Sequence, residues 1–373
     1  MKYSMKILLL TAATLSLAEL ATNAQSSAFL PKHLAVLRAG DGVLDLHLKQ
    51  SPAFIDQFAP GGFNAGPSFT VSIPTNGPDT LFFNGHAATE GILTRSADHR
   101  LLALAGYGGV NLLQTNGTPS LMDISRVFCT VDAAGKIHTM IYRKTSSVEK
   151  MNPRGVVTDG TNNFWGCGNT LGTVYYRPGG TGEPVAFDDI PNSRAVKIIG
   201  NAVYVTLNGP DGFASDLSAG IFSFTDAVGR PVSLPEEADS RLKIVVEAKA
   251  PYTKLAGFDM NADGTIAYLA DTVAGIQKYV KSGGAWKFAY NFSIPQNIPA
   301  DQNRGTGCFG VAVDFSGPAP VIYATTTEGY DGCVNSNRVV QVVDTNATAT
   351  VTTVAQAGSA KIAYRGIAFT PEP

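Results

Sequence analysis

Long apolar runs are scarce in this chain. The one at the start, from Ile7 to about Leu17, falls short of the roughly 20 residues that a membrane-spanning helix needs, and Glu19 interrupts its continuation. No later segment is long and apolar enough to span a bilayer as a helix. Lys2 and Lys6 precede the run and small residues through Ala24 follow it, the layout of a secretory signal. Residues 1–24 are therefore expected to be a signal peptide, cut between Ala24 and Gln25. Residues 25–373 are expected to form one domain that works outside the cell, or in the periplasm or at the surface of a bacterium.

Charge is also sparse. Only 16% of residues are Asp, Glu, Lys or Arg, the formal net charge is −2, and there is no Lys/Arg run. Nucleic-acid binding needs a basic stripe to meet the phosphates, and none is present. Helical periodicity is nearly missing, and the polar stretch Pro235–Leu242 has the composition of a loop or a single turn. No Gly-x-Ser-x-Gly elbow, phosphate-binding loop or His-Glu-x-x-His occurs, which removes three common catalytic signatures.

Four cysteines stand at Cys129, Cys167, Cys308 and Cys333, with no metal-type CxxC spacing. An even count in an exported chain is compatible with two disulfides, and Cys129–Cys167 with Cys308–Cys333 would link neighbouring strands or loops. Buried free thiols are the alternative, since Cys is among the most buried residue types. Asn-x-Ser/Thr sequons at Asn116, Asn291 and Asn346 matter only if the source is a eukaryotic secretory pathway.

Glycine and proline are plentiful, with 39 and 21 residues. They punctuate a unit that recurs along the chain. It opens with a charged or aromatic residue, or Ala, followed by Gly or Ala and an apolar strand. The openings are Glu90-Gly91-Ile92-Leu93, Arg154-Gly155-Val156-Val157, Arg194-Ala195-Val196, Ala256-Gly257-Phe258, Phe309-Gly310-Val311 and Arg365-Gly366-Ile367. A second apolar strand follows each of the first five, as in Asn163-Phe164-Trp165 and Ile266-Ala267-Tyr268-Leu269. Asp-Gly at 159–160, 211–212, 263–264 and 331–332 suits hairpin turns.

Short strands at steady spacing with a repeat of about 40–60 residues argue for an all-β propeller. The last unit has only its first strand. Its partners are expected from the N-terminus, where His33–Arg38, Val43–His47, Phe54–Phe58 and Phe69–Ile73 are strand-like. Pairing the two chain ends would remove open sheet edges. The expected count is six blades, with seven if residues 26–85 hold a blade of their own.

The passage Gly257-Phe258-Asp259-Met260-Asn261-Ala262-Asp263-Gly264-Thr265-Ile266-Ala267-Tyr268-Leu269-Ala270-Asp271-Thr272, with Gly275-Ile276, resembles one blade of NHL, TolB-like or gluconolactonase-like propellers. Val36–Gly42, Glu90–Ser96 and Tyr364–Phe369 also resemble uncharacterised secreted bacterial propeller-like proteins, from which no activity transfers. The gluconolactonase resemblance implies a divalent cation held by a Glu, two Asn and an Asp. Glu90 would open that set, with Asn162 or Asn208 and Asp259 or Asp314 as further oxygen ligands suited to Ca²⁺. The family's Asn and Asp motifs do not recur at matching positions, and Arg154 and Arg194 occupy two equivalent places. The expectation is therefore no cofactor, with Ca²⁺ as the alternative.

The repeat places Glu90, Arg154, Arg194, Ala256, Phe309 and Arg365 just before the inner strands, around one mouth of the channel. A guanidinium offers five donors in a fork that fits carboxylate or phosphate. Glu90, Arg154, Arg194, Phe309 and Arg365 are thus candidate ligand-binding residues, and the expected partner is a small anionic molecule or acidic carbohydrate, bound by a monomer. Arginines there can equally tie adjacent blades through carbonyls. Of the five histidines (His33, His47, His86, His99 and His138), His86 lies nearest this mouth and is the candidate general base. With Tyr107 and an arginine it would suit β-elimination from a uronic acid, so a lyase or a lactonase-like hydrolase is the enzymatic alternative to a binding module.

Overall fold

A computed structural model describes residues 27–46, 50–64, 66–85, 87, 89–108, 124–143, 152–170, 172–179, 183–187, 192–209, 218–250, 254–295, 307–328 and 337–373. Residues 1–24, expected to be a signal peptide, and His47, His86, Cys333, Asn116 and the Asp-Gly pairs at 211–212 and 331–332 lie outside them.

Among the described residues the elements are strands, with no helix. In chain order they are β1 (Leu34–Ala39), β2 (Ser51–Phe58), β3 (Phe69–Ser72), β4 (Leu81–Phe83), β5 (Leu93–Arg95), β6 (Leu101–Gly108), β7 (Ser125–Asp132) and β8 (Ile137–Arg143). Next come β9 (Pro153–Thr158), β10 (Phe164–Gly168), β11 (Thr173–Tyr176), β12 (Val185–Ala186), β13 (Ser193–Ile199), β14 (Ala202–Asn208), β15 (Ala219–Thr225), β16 (Pro231–Val232) and β17 (Arg241–Glu247). The last are β18 (Leu255–Met260), β19 (Ile266–Asp271), β20 (Gly275–Ser282), β21 (Ala285–Phe292), β22 (Cys308–Asp314), β23 (Val321–Thr326), β24 (Arg338–Val343), β25 (Val351–Gln356) and β26 (Ala363–Phe369).

The sheets are antiparallel and arranged as a β-propeller. Three run in simple order: β12-β11-β10-β9, β18-β19-β20-β21 and β22-β23-β24-β25. A fourth runs β13-β14-β15, with β16 and β17 both on β15. The largest runs β26-β1-β2-β4-β6-β7-β8, with β3 on β2 and β5 on β6. The chain ends pair as the repeat predicts, with Leu34 opposite Phe369 and Ala39 opposite Ala363. Inner strands meet in a closed circuit: β26 with β5, β5 with β9, β9 with β13, β13 with β18, β18 with β22, and β22 with β26.

One N-terminal expectation fails. Val43–Leu46 forms no strand. Asp41 Oδ1 accepts from the Val43 and Leu44 amides, which curls the chain into a turn before β2. The same device closes hairpins elsewhere: Asp132, Asp159, Asp226, Asp314 and Asn346 each accept from the amide two residues on.

The repeat's glycines are set by backbone approach. A Cβ on Gly366 would lie 2.1 Å from the Leu93 nitrogen and 2.5 Å from the Gly91 oxygen. One on Gly310 would lie 2.7 Å from the Arg365 oxygen, and one on Gly257 2.6 Å from the Phe309 oxygen. Neighbouring inner strands thus touch main chain to main chain at these three glycines, leaving no room for a side chain there, while the Arg194 unit carries Ala195 at the same position.

Second-strand hydroxyls then join the sheets. Thr206 Oγ1 accepts from the Ala195 amide and donates to the Ala256 carbonyl of the next inner strand. Thr325 Oγ1 repeats this between the Gly310 amide and the Arg365 carbonyl. Cys167 sits opposite Gly155 as Thr206 sits opposite Ala195. Apolar clusters fill the spaces between sheets, one around Phe258, Tyr268 and Val311 and another around Trp165, Val205 and Phe224. Trp165, Tyr175 and Tyr268 pack there, and Trp165 donates to the Pro235 carbonyl at 2.7 Å.

The expected disulfides are not formed among the described residues: Cys129, Cys167 and Cys308 are buried free thiols. Cys129 packs with Leu104 and Val127, whereas Cys167 packs with Trp165 in a separate cluster. Burial pushes the thiols of Cys129 and Cys167 up to about 12 and that of Cys308 higher still.

Candidate functional site

Three of the repeat's opening residues come together where the inner strands begin. Glu90, Arg154 and Arg365 come from three consecutive positions of the inner-strand circuit and are 0%, 5% and 1% exposed. Glu90 ends the link from β4 to β5. Gly91 follows it with φ +92°, a left-handed turn that suits glycine, and a Cβ there would meet the Arg365 Cδ at 2.9 Å. The Gly91 and Ile92 amides both donate to the Arg154 carbonyl, at 3.2 and 2.8 Å, which fixes the link against β9.

The Glu90 carboxylate accepts from the Tyr107 hydroxyl at 2.8 Å and from the Asn84 amide at 3.0 Å. Burial pushes its pKa up to about 7, against the opposing pull of the Arg365 guanidinium, the Tyr107 and Asn84 hydrogen bonds and, least, Arg154. Burial and the neighbouring carboxylate hold the Tyr107 phenol far above its usual range. Tyr107 is therefore a hydrogen-bond donor to Glu90 rather than a proton acceptor.

Both arginines reach forward to the next inner strand. Arg154 Nη1 donates to Asn192 Oδ1 at 2.5 Å and to the Ser193 carbonyl at 2.9 Å. Arg365 donates to the carbonyls of Glu90, Asn84 and Gly85 at 3.3–3.5 Å and lies 5.6 Å from the Phe83 ring centre. Arg194 follows the Asn192–Ser193 pair and is half-buried. Phe309 and Ala256 are buried at their own openings. The proposed general base His86 lies outside the described residues.

The residues implied for calcium do not fit it. Glu90 faces guanidiniums at the start of the inner strands. Asp259 and Asp314 stand near or at the finish of β18 and β22, where Asp259 pairs with Lys197 at 3.2 Å. Asn208 Oδ1 accepts from the Leu255 amide, and exposed Asn162 donates to the Pro178 carbonyl.

The finish of the inner strands also holds charges that the repeat did not single out. Arg95, Lys197 and Asp259 line a cavity of about 350 Å³ with Ala312, Val313 and Ala368. A signal for Lys197 and Asp259 exists in the sequence. Lys197, Asp259, Ala312 and Ala368 each stand three residues after the opening residue of their unit.

No protein-family model matches the chain, and no curated protein does. Among solved structures, the chain is similar to a provisionally assigned 6-phosphogluconolactonase from Bacteroides uniformis, at 13% identity and TM-score 0.42, covering 88% of this chain and 83% of that one. It is also similar to apo AztD from Citrobacter koseri, at 11% identity and TM-score 0.35, covering 86% and 70%.

Proposed function

We propose that residues 25–373 form a secreted six-bladed β-propeller that binds a small anionic molecule or acidic carbohydrate at the mouth where its inner strands begin. The count of six treats the largest sheet as two blades, β26-β1-β2-β3 and β5-β6-β7-β8, joined only through the three-residue β4. The binding reading is carried by one observation: Glu90, Arg154 and Arg365 are buried where three consecutive inner strands begin, and both guanidiniums act on the Glu90 carboxyl. The carbonyl contacts hold both guanidiniums in place before a ligand arrives. Arg194 and Phe309 complete the set, the first as a further cation and the second as an apolar wall.

Calorimetric titration with D-galacturonate tests this reading. The wild-type protein should bind, and Arg154→Ala and Arg194→Ala should each weaken binding by about tenfold or more, as expected for loss of a charge-assisted hydrogen bond. Unchanged affinity in folded variants would sink the idea.

A second reading, a lyase on acidic sugars or a lactonase-like hydrolase, is favoured by the Glu90 carboxyl. A group that titrates near neutrality is suited to move protons. Turnover of a uronate polymer or an aldonolactone that disappears in Glu90→Gln would select it over simple binding.

A further inference from the structure

The cavity at the other end of the channel has the features of a second site, independent of the Glu90 mouth. Its volume of about 350 Å³ falls within the ~300–1,000 Å³ usual for small-molecule pockets. Its walls come from β5, β13, β18, β22 and β26.

Two of its three charges satisfy each other. Lys197 Nζ lies 3.2 Å from Asp259 Oδ2 and donates to the Val311 carbonyl at 2.9 Å. Asp259 also accepts from the Met260 and Val313 amides, at 3.0 and 2.9 Å. Arg95 is different. Its hydrogen bonds to protein are confined to Nη1, which reaches the Thr370 carbonyl and Glu372 Oε1, both at 3.4 Å, and its guanidinium carbon lies 6.0 Å from the Phe369 ring centre. Glu372 is itself half-exposed. Nε and Nη2, carrying three of the five N–H groups of a guanidinium, make no hydrogen bond to the described residues. Burial lowers the Arg95 pKa, which marks a guanidinium partly withdrawn from water. His99 beside it is held below its usual range by burial and by Arg95.

A partly desolvated guanidinium with one free edge, set in a cavity, is matched by a carboxylate that accepts two parallel hydrogen bonds. We propose that this cavity binds a small hydroxy-carboxylate. Its carboxylate meets the Nε/Nη2 edge of Arg95, a hydroxyl lies within reach of Asp259, and its carbon chain rests against Met260, Val313 and Phe369.

D-gluconate is the probe. Wild-type protein should bind it by calorimetry, Arg95→Gln should weaken binding at least about tenfold, and Arg230→Ala, in an exposed hairpin away from both mouths, should leave it unchanged. Binding lost in Arg194→Ala but kept in Arg95→Gln would overturn the proposal while leaving the Glu90-mouth reading intact. Should Arg95→Gln fail to fold, the wild type still decides. Phenylglyoxal labelling of Arg95, read by peptide mass spectrometry, should be suppressed by gluconate, and labelling that gluconate does not slow refutes the site.

Discussion

Tyr107 donates its phenolic hydrogen to Glu90 across 2.8 Å, inside a cluster where neither residue is exposed. The bond joins β6 to the link that leads into β5. It also fixes a carboxyl whose proton affinity has been raised by burial to about 7 from an ordinary 4.5.

A pH dependence follows. Between those two values the folded chain holds a proton that the unfolded chain has released. Stability should therefore fall as pH rises from about 4.5 through 7, then level off. Glu90→Gln keeps an acceptor for the Tyr107 hydroxyl and the Asn84 amide but has no proton to lose. Thermal melts at half-unit steps from pH 5 to 8 should show a falling wild-type curve relative to the variant. Parallel curves would contradict the assignment.

Thr325 links two inner strands by accepting from the Gly310 amide and donating to the Arg365 carbonyl. Thr325→Val preserves shape and removes both bonds, leaving a buried amide and a buried carbonyl with one partner fewer. The expected cost is about 1–3 kcal/mol in urea unfolding, largely restored by Thr325→Ser. A loss that serine does not repair would point to packing instead.

Gly366 and Gly264 should respond differently to alanine. A Cβ at Gly366 meets main-chain atoms at 2.1 and 2.5 Å, which cannot yield as a flexible side chain does. Gly366→Ala should destabilise by several kcal/mol or prevent folding, as severe overpacking does. Gly264 lies in an open turn with φ +64° and nothing within 4 Å, so Gly264→Ala should cost only about 1 kcal/mol. Equal melting temperatures for the two variants would refute the contact argument.

Cys167 occupies the position that threonine fills in two other units, beside the second residue of the repeat unit. Its burial and raised pKa predict that native protein shows no reaction of Cys129, Cys167 or Cys308 with a thiol reagent before unfolding. Cys167→Thr should be neutral or stabilising by up to about 1 kcal/mol, because the hydroxyl can repeat the bridge made by Thr206 and Thr325. A marked fall in melting temperature would show that the site tolerates sulfur alone.

Local chemistry made the propeller legible before any coordinates. Alternating β-branched and apolar residues specify strands, Asp-Gly pairs specify turns, and the Gly after Ala256, Phe309 and Arg365 marks a place where main chains touch. These signals act within a few residues, so they survive in linear order, and the repeat carried even the pairing of Arg365–Phe369 with the N-terminal strand. The sequence also placed Glu90, Arg154 and Arg365 at equivalent positions. It did not reveal that burial would lift the Glu90 carboxyl, since desolvation depends on the residues stacked around it from other sheets. Nor did it reveal that Cys129 and Cys167 belong to different clusters, because cysteine spacing says nothing about which face of a sheet a side chain enters. Arg95 and Asp259, 164 positions apart in the chain, share a cavity only because closing the circuit carries the ends of β5 and β18 to the same channel opening.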